Sequence, residues 1–135
     1  MAYAIPGKYQ KYIMTDLPKY VEVTGHFKPA PCWIVPGMFP GVNLALAGND
    51  ASKIVGVQRT LPHVHEHLEI YLAVSESRGA VVTEFQMDDE KFQLESPYAV
   101  FVPPGTKHCF TVLKCDSPHW VFGVGVMDWK GDMVT

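Results

Sequence analysis

Apolar residues along the second half of the chain fall into short runs that stop at Gly, Pro or Asp. From Leu68 onward these runs predict strands near 68–74, 80–87, 91–95, 99–102, 108–114 and 119–127. Upstream, Cys32-Trp33-Ile34-Val35, bracketed by Pro31 and Pro36, reads as a short strand, and so does Val42-Asn43-Leu44-Ala45-Leu46-Ala47, which closes on a turn at Gly48-Asn49-Asp50. Residues 53–60, with Ile54-Val55-Gly56-Val57-Gln58, read as a further strand that delivers the chain to Pro62. Short strands at near-regular spacing are the signature of an all-β antiparallel barrel. Between Thr83 and Gln86 polar and apolar side chains alternate, so one face of that strand is polar. Asp88-Asp89-Glu90 reads as a solvated hairpin tip.

Residues 1–30 break this pattern. Pro6, Gly7, Pro18, Gly25 and Pro29 exclude a long helix there. Tyr9 to Met14 reads as a turn or edge strand, and Tyr20-Val21-Glu22-Val23-Thr24 as a strand. The segment is therefore expected to be an arm that wraps the barrel or pairs with a second subunit, ahead of a single domain over 31–135. The tail Asp128-Trp129-Lys130-Gly131-Asp132 either caps the barrel or frays.

One polar stretch interrupts the apolar runs: Pro62-His63-Val64-His65-Glu66-His67, leading into Leu68-Glu69-Ile70-Tyr71. An extended chain repeats every two residues, so His63, His65 and Glu69, at offsets 0, +2 and +6, share one face. Imidazole and carboxylate suit a divalent first-row ion such as Fe, Mn, Ni or Zn, and His108, placed after the turn Pro103-Pro104-Gly105, supplies a fourth ligand. Four protein ligands leave two octahedral positions for a substrate or oxygen. His67 has the parity of its neighbours and is an alternative ligand or a proton carrier near the mouth. Tyr71 faces inward two residues after Glu69, where its hydroxyl reaches a metal-bound substrate or simply packs in the interior. His119, at the start of the last strand, either lines the pocket or, as is commoner for a lone His, is structural, and His26 has no partner in the sequence. Cys109, directly after His108, should point away from the site.

The pattern His-x-His-x3-Glu at His63, His65 and Glu69, followed by Pro-x-Gly-x2-His at Pro103, Gly105 and His108, resembles the two motifs of the cupin superfamily, small antiparallel β-barrels that carry a metal in the mouth. The resemblance spans about 56–79 for the first motif and about 97–112 for the second. Departures fall at structural positions. Gly56 lies one residue too far upstream, Glu76 replaces an expected Gly with Gly79 three positions later, Pro97 stands for the opening Gly, and Val112 for a frequent Asn. The resemblance implies a single cupin-type, jelly-roll-like barrel with one divalent transition metal per chain on His63, His65, Glu69 and His108. Fe or Mn is favoured over Zn or Ni, and the arm is expected to join a homodimer. It further implies an enzyme, a dioxygenase-type oxidoreductase acting on a small oxygen-bearing organic substrate. The alternatives are a non-redox lyase, isomerase or decarboxylase, with Tyr71 or His67 moving the proton, and a ligand-binding cupin without turnover. In cupin lyases that act on dimethylsulfoniopropionate a Tyr two after the Glu serves as base. Tyr71 and His67 are accordingly the candidate catalytic residues.

Composition narrows the partners. A chain of 135 residues with 47% hydrophobic residues is one domain with an ordinary core. Its formal charge of −3 and lack of a Lys/Arg run give no electrostatic footprint for nucleic acid. Cys32, Cys109 and Cys115 are odd in number and lack CxxC spacing, which argues for a reducing compartment. No signal-like or membrane-length apolar run is present, so a cytoplasmic protein is expected. Trp33, Met38, Phe39, Phe101, Trp120 and Phe122 supply enough aromatic and apolar surface either to line a pocket or to fill the barrel.

Overall fold

The computed structural model describes residues 7–22, 29–58 and 60–127. After a 3-10 helix at Gly7–Tyr12, the strands are β1 Lys19–Val21, β2 Ala30–Ile34, β3 Leu44–Asp50, β4 Leu68–Ala73, β5 Val82–Met87, β6 Glu90–Glu95, β7 Tyr98–Val102, β8 His108–Lys114 and β9 Trp120–Val126. They form two antiparallel sheets, one in the order β1-β2-β3-β9-β4-β7 and a smaller one in the order β6-β5-β8. This is the expected all-β, cupin-like architecture, with the barrel left open. Outside the named strands, isolated bridges at His63–His108 and Val55–Val112 carry two further segments onto β8.

Strand register decides what faces the interior, because directly opposed residues share a face. In the large sheet Glu69 opposes Gly125 and Val102, Tyr71 opposes Gly123 and Val100, and Ala73 opposes Val121 and Tyr98. In the small sheet Phe85 opposes Phe110, Thr83 opposes Val112, and Met87 opposes His108. These two inner faces meet in a core of Tyr71, Ala73, Val81, Phe85, Val102, Phe110, Val112 and Val121. Thr83 and Phe85 are fully buried while Glu84 and Gln86 are not, so the polar face of β5 points outward.

Two expected elements differ. The described residues of 53–60 do not form a strand. The Asp50 carboxylate accepts from Ser52 N at 3.0 Å and from Ser52 Oγ at 2.7 Å, which caps a 3-10 turn at Ala51–Lys53. Gly56 then bends the chain at φ +73°. Among the described residues of this segment Ile54 and Thr60 are buried, and Val55 and Val57 stay exposed. The expected turn at Gly48-Asn49-Asp50 is instead the end of β3, which pairs with β9 along its whole length from Leu44–Val126 to Asp50–Trp120. Pairing with a long neighbour overrides the local turn signal.

Within residues 1–30, β1 pairs with β2 through Lys19–Cys32 to Val21–Ala30. Val23, Thr24, Gly25 and His26, and the tail from Asp128, lie outside the described residues. Replacing Phe85, which is 1% exposed and stacks edge-on against Tyr71 at 5.1 Å, should expose how far the site depends on this core. Phe85→Ala is expected to lower unfolding free energy by about 3–5 kcal/mol, read by urea denaturation. A loss under about 1 kcal/mol would show that Tyr71 is held by other contacts.

Candidate metal centre

His63 and His108 are placed side by side by the backbone. His63 N donates to His108 O at 3.1 Å, and His108 N donates back to His63 O at 2.9 Å. Such a reciprocal pair sends both side chains to the same face, and the ring centroids are 4.4 Å apart. The turn before His108 holds this register. Gly105, at φ +80°, donates its N–H to His65 O at 2.9 Å. Asp88, expected only as a solvated tip, clamps the next residue: its N–H donates to Lys107 O at 2.8 Å, and its carboxylate accepts from Lys107 N at 3.3 Å. Residues 64–67 are irregular rather than extended, and the strand begins at Leu68. The shared face inferred from strict alternation therefore forms differently, by a bridge at His63 and a bend before β4.

The side chains converge all the same. His63 Nδ1 lies 2.6 Å from Leu61 O, and His108 Nδ1 lies 2.8 Å from Thr106 O. A carbonyl only accepts, so each Nδ1 carries the proton and each Nε2 presents a lone pair. His108 Nε2 is buried and has no hydrogen-bond partner. His65 Nε2 lies 2.6 Å from Glu69 Oε1, and His108 Nε2 lies 3.9 Å from Glu69 Oε2. One ligand atom from each of His63, His65, Glu69 and His108 falls within 4.8 Å of the others. Ligands about 2.0–2.2 Å from a first-row ion sit at most roughly 4.4 Å apart. A contraction of a few tenths of an ångström would thus close the set on an ion. The donor types, fixed tautomers and orphaned His108 nitrogen all fit a divalent transition metal.

The electrostatics agree. Burial chiefly, and then the nearby histidines, lower the pKa of His63 against the opposing Leu61 bond; burial also lowers His108. Both are neutral imidazoles near neutral pH, the form a metal would require. Burial on its own would raise Glu69, but His65, the Tyr71 hydroxyl and His108 outweigh it and hold the carboxyl below its usual range. Tyr71 donates to Glu69, and its ring packs against His108 at 5.6 Å and Phe110 at 5.5 Å. His67 stacks on His65 at 4.7 Å with 23° between the planes, and its Nε2 lies 3.9 Å from Glu69 Oε1.

A cavity of about 340 Å³ reaches His65, His67, Glu69 and Tyr71 and is otherwise walled largely by Ala45, Ala47, Val121, Gly123, Gly125 and Phe110. Of the apolar residues expected around a pocket, Phe122 alone lines it. Trp33 and Trp120 instead meet edge-on at 5.6 Å. His119 bonds to Ser117 O at 3.0 Å, away from the cavity. Cys109 faces Gln86, and all three cysteines are free. Sequence reasoning missed Gly123 and Gly125. A Cβ on Gly123 would sit 3.4 Å from Tyr71 Cε1 and 3.7 Å from Glu69 Oε2, and one on Gly125 would sit 3.0 Å from His67 Nε2. The signal was present as two glycines at alternate positions of an otherwise bulky strand. It missed also that Val21 and Glu22 of the arm line the cavity.

No protein-family model and no curated protein matches the chain. Solved structures do resemble it. A cupin protein from Bacteroides fragilis is 17% identical with a TM-score of 0.56, over 90% of this chain and 93% of that one. A Cupin 2 conserved barrel domain protein from Salinispora arenicola is 17% identical with a TM-score of 0.52, over 95% and 92%. AerE from Microcystis aeruginosa is 14% identical with a TM-score of 0.57 over 82% of this chain, which spans 45% of AerE. At these identities the likeness establishes the fold. No helix among the described residues is long and apolar enough to cross a membrane.

His108→Ala should abolish stoichiometric metal binding with the β-sheet circular dichroism retained; one equivalent of metal in that variant would remove His108 from the site. The pH dependence of the metal-free protein follows from the same groups. A histidine whose folded pKa lies below its ordinary 6.5 binds protons more readily when unfolded, so stability falls as pH drops below that value. Glu69, depressed from 4.5, adds a further loss in more acid solution. Melting temperature is expected to fall steadily from about pH 7.5 to 5, and less steeply in His108→Ala. Equal slopes would place the titration elsewhere.

Proposed function

With the cupin fold as premise, we propose that the chain is a mononuclear metalloenzyme. His63, His65, Glu69 and His108 hold one divalent transition-metal ion, Fe or Mn, and a small oxygen-bearing organic substrate is oxidised there in the manner of a dioxygenase. The observation that supports this most is His108 Nε2, buried and without a hydrogen-bond partner beside two further imidazoles and a carboxylate. The ion would supply a Lewis-acid and redox centre with positions open to substrate and oxygen.

The chain's own groups then have separable tasks. The Leu61 and Thr106 carbonyls fix the orientation of the His63 and His108 rings. Glu69 supplies the one negative charge. Tyr71 holds a proton at Oη, because burial first and the Glu69 charge second push its pKa well above the usual range. It therefore acts as a donor, and service as a base requires that charge to be neutralised by a cation. His67 borders both the cavity and Glu69, where it can carry a proton between them. The apolar walls exclude water from the reacting atoms.

The Tyr71–Glu69 hydrogen bond favours a second reading, a non-redox lyase, isomerase or decarboxylase in which these two groups move the proton. A homodimer is supported by exposed Tyr9, Tyr12, Ile13 and Tyr20 on the arm. It is supported also by the outward face of the large sheet, where Ile70 opposes Val124.

Elemental analysis, before and after anaerobic loading with Fe(II), tests the main reading. About one equivalent of iron is expected, with oxygen uptake on a panel of diketones, catechols and thiols. One equivalent of zinc or nickel without oxygen uptake favours the second reading, and no metal after loading overturns both. Tyr71→Phe should lower turnover by about a hundredfold with metal content unchanged. Unaltered turnover would return Tyr71 to a packing role.

A further inference from the structure

The walls of the cavity restrict what it can hold. Resting on the metal-centre reading above, we propose that the site takes a ligand with an uncharged, largely apolar body that chelates through two neighbouring oxygens, and that it discriminates against analogues with an anionic group on that body, with Glu22 as a specificity-determining residue.

Charge is the first argument. Among the described residues no Lys or Arg lines the cavity, and its carboxylates are Glu69 and Glu22. A carboxylate or phosphate on the body of a ligand would lose its water there without gaining a cation or a fork of N–H donors. The positive charge of a divalent ion is half offset by Glu69, and the chelating oxygens use the remainder. Glu22 adds repulsion at the β1 side. It is exposed, so solvent screens this term, and the loss of hydration against the apolar walls carries most of the discrimination.

Wall chemistry is the second argument. Ala30, Ala45, Ala47, Gly123 and Gly125 end at or before Cβ, which opens the space without offering hydrogen bonds. Away from the metal ligands, Tyr71 and His67, the polar side chains at the wall are Asn49, Thr60 and Glu22. Thr60 is fully buried, and its Oγ1 already accepts from Phe110 N at 3.5 Å. A polyhydroxylated ligand such as a sugar would leave most of its hydroxyls unpaired, at a cost for each. An aromatic or alkyl body loses nothing. At about 340 Å³ the space is at the small end for ligand sites, suited to one ring or a short chain.

The test uses cobalt(II)-loaded protein, whose visible absorption reports exchange of ligands on the ion. Titration with catechol, 4-methylcatechol and 4-ethylcatechol should tighten binding about threefold to fourfold per added carbon. 3,4-Dihydroxybenzoate, which keeps the same chelating pair and replaces the methyl by a carboxylate, should bind about tenfold more weakly than 4-methylcatechol or worse. Glu22→Gln should recover part of that gap while leaving the alkyl series unchanged. Equal or tighter binding of the benzoate, or no gain along the alkyl series, overturns the proposal while the metal centre stands. A gap unchanged in Glu22→Gln overturns the assignment of Glu22. Cobalt that binds but responds to no catechol removes the open coordination positions, and protein that takes up no cobalt removes the metal centre itself.

Discussion

The candidate site depends on one backbone interaction, the reciprocal pair of hydrogen bonds between His63 and His108. It joins two segments that are far apart in the chain and lies where the irregular approach to β4 meets the first residue of β8. Because the two residues are directly opposed, their imidazoles cannot point to different faces. The neighbouring bonds serve the same register. Gly105 reaches back to His65 and Asp88 grips Lys107, so a slip of one residue at His108 would break both contacts. An ion held by His63, His65, Glu69 and His108 would strap this seam from the side-chain direction as well, which makes metal binding and stability of the open barrel linked quantities.

The cost of the site is visible in β4. This strand turns Glu69 and Tyr71 inward and leaves Ile70 and Leu72 only partly covered on the outside, the reverse of what burial of apolar surface alone would select. Glu69 is 8% exposed, and an unpaired carboxylate at that depth would be strongly unfavourable. Three partners offset the burial: His65 at one oxygen, His108 facing the other, and the Tyr71 hydroxyl. Gly123 and Gly125 on β9 then give up side chains to make room for Tyr71 and His67. A local rule broken with its compensation close by is the usual mark of a functional position.

Much of this was legible from residue order. The cluster His63, His65, Glu69 and His108 could be singled out because its chemistry is rare and its spacing specific, and β8 could be placed to its ends, since the turn Pro103-Pro104-Gly105 and the apolar run after His108 are strong local signals. What was not legible is what depends on pairing between distant strands. Gly48-Asn49-Asp50 has the composition of a turn, yet β9 keeps it extended. Val55 and Val57 look like strand residues, yet the Asp50 cap starts a turn just before them. The role of Asp88 needed the loop of β8 to be brought beside the β5–β6 hairpin, which no local pattern reveals.

The arm shows the same limit and bears on function. Its Pro and Gly punctuation argued against a long helix, and the described part holds a short 3-10 helix and β1, but composition said nothing about Val21 and Glu22 reaching the cavity, because that follows from the pairing of β1 with β2. The site therefore divides into two parts with different physical characters. At the seam, polar groups are buried and fixed to the backbone, so they would set which ion binds and which proton transfers are feasible. Across the cavity, small apolar walls and one carboxylate from the sheet edge make few directional demands, so they would select a ligand by size and charge rather than by pattern. Substitutions in the first part should change the chemistry, while those in the second should change which molecules reach it.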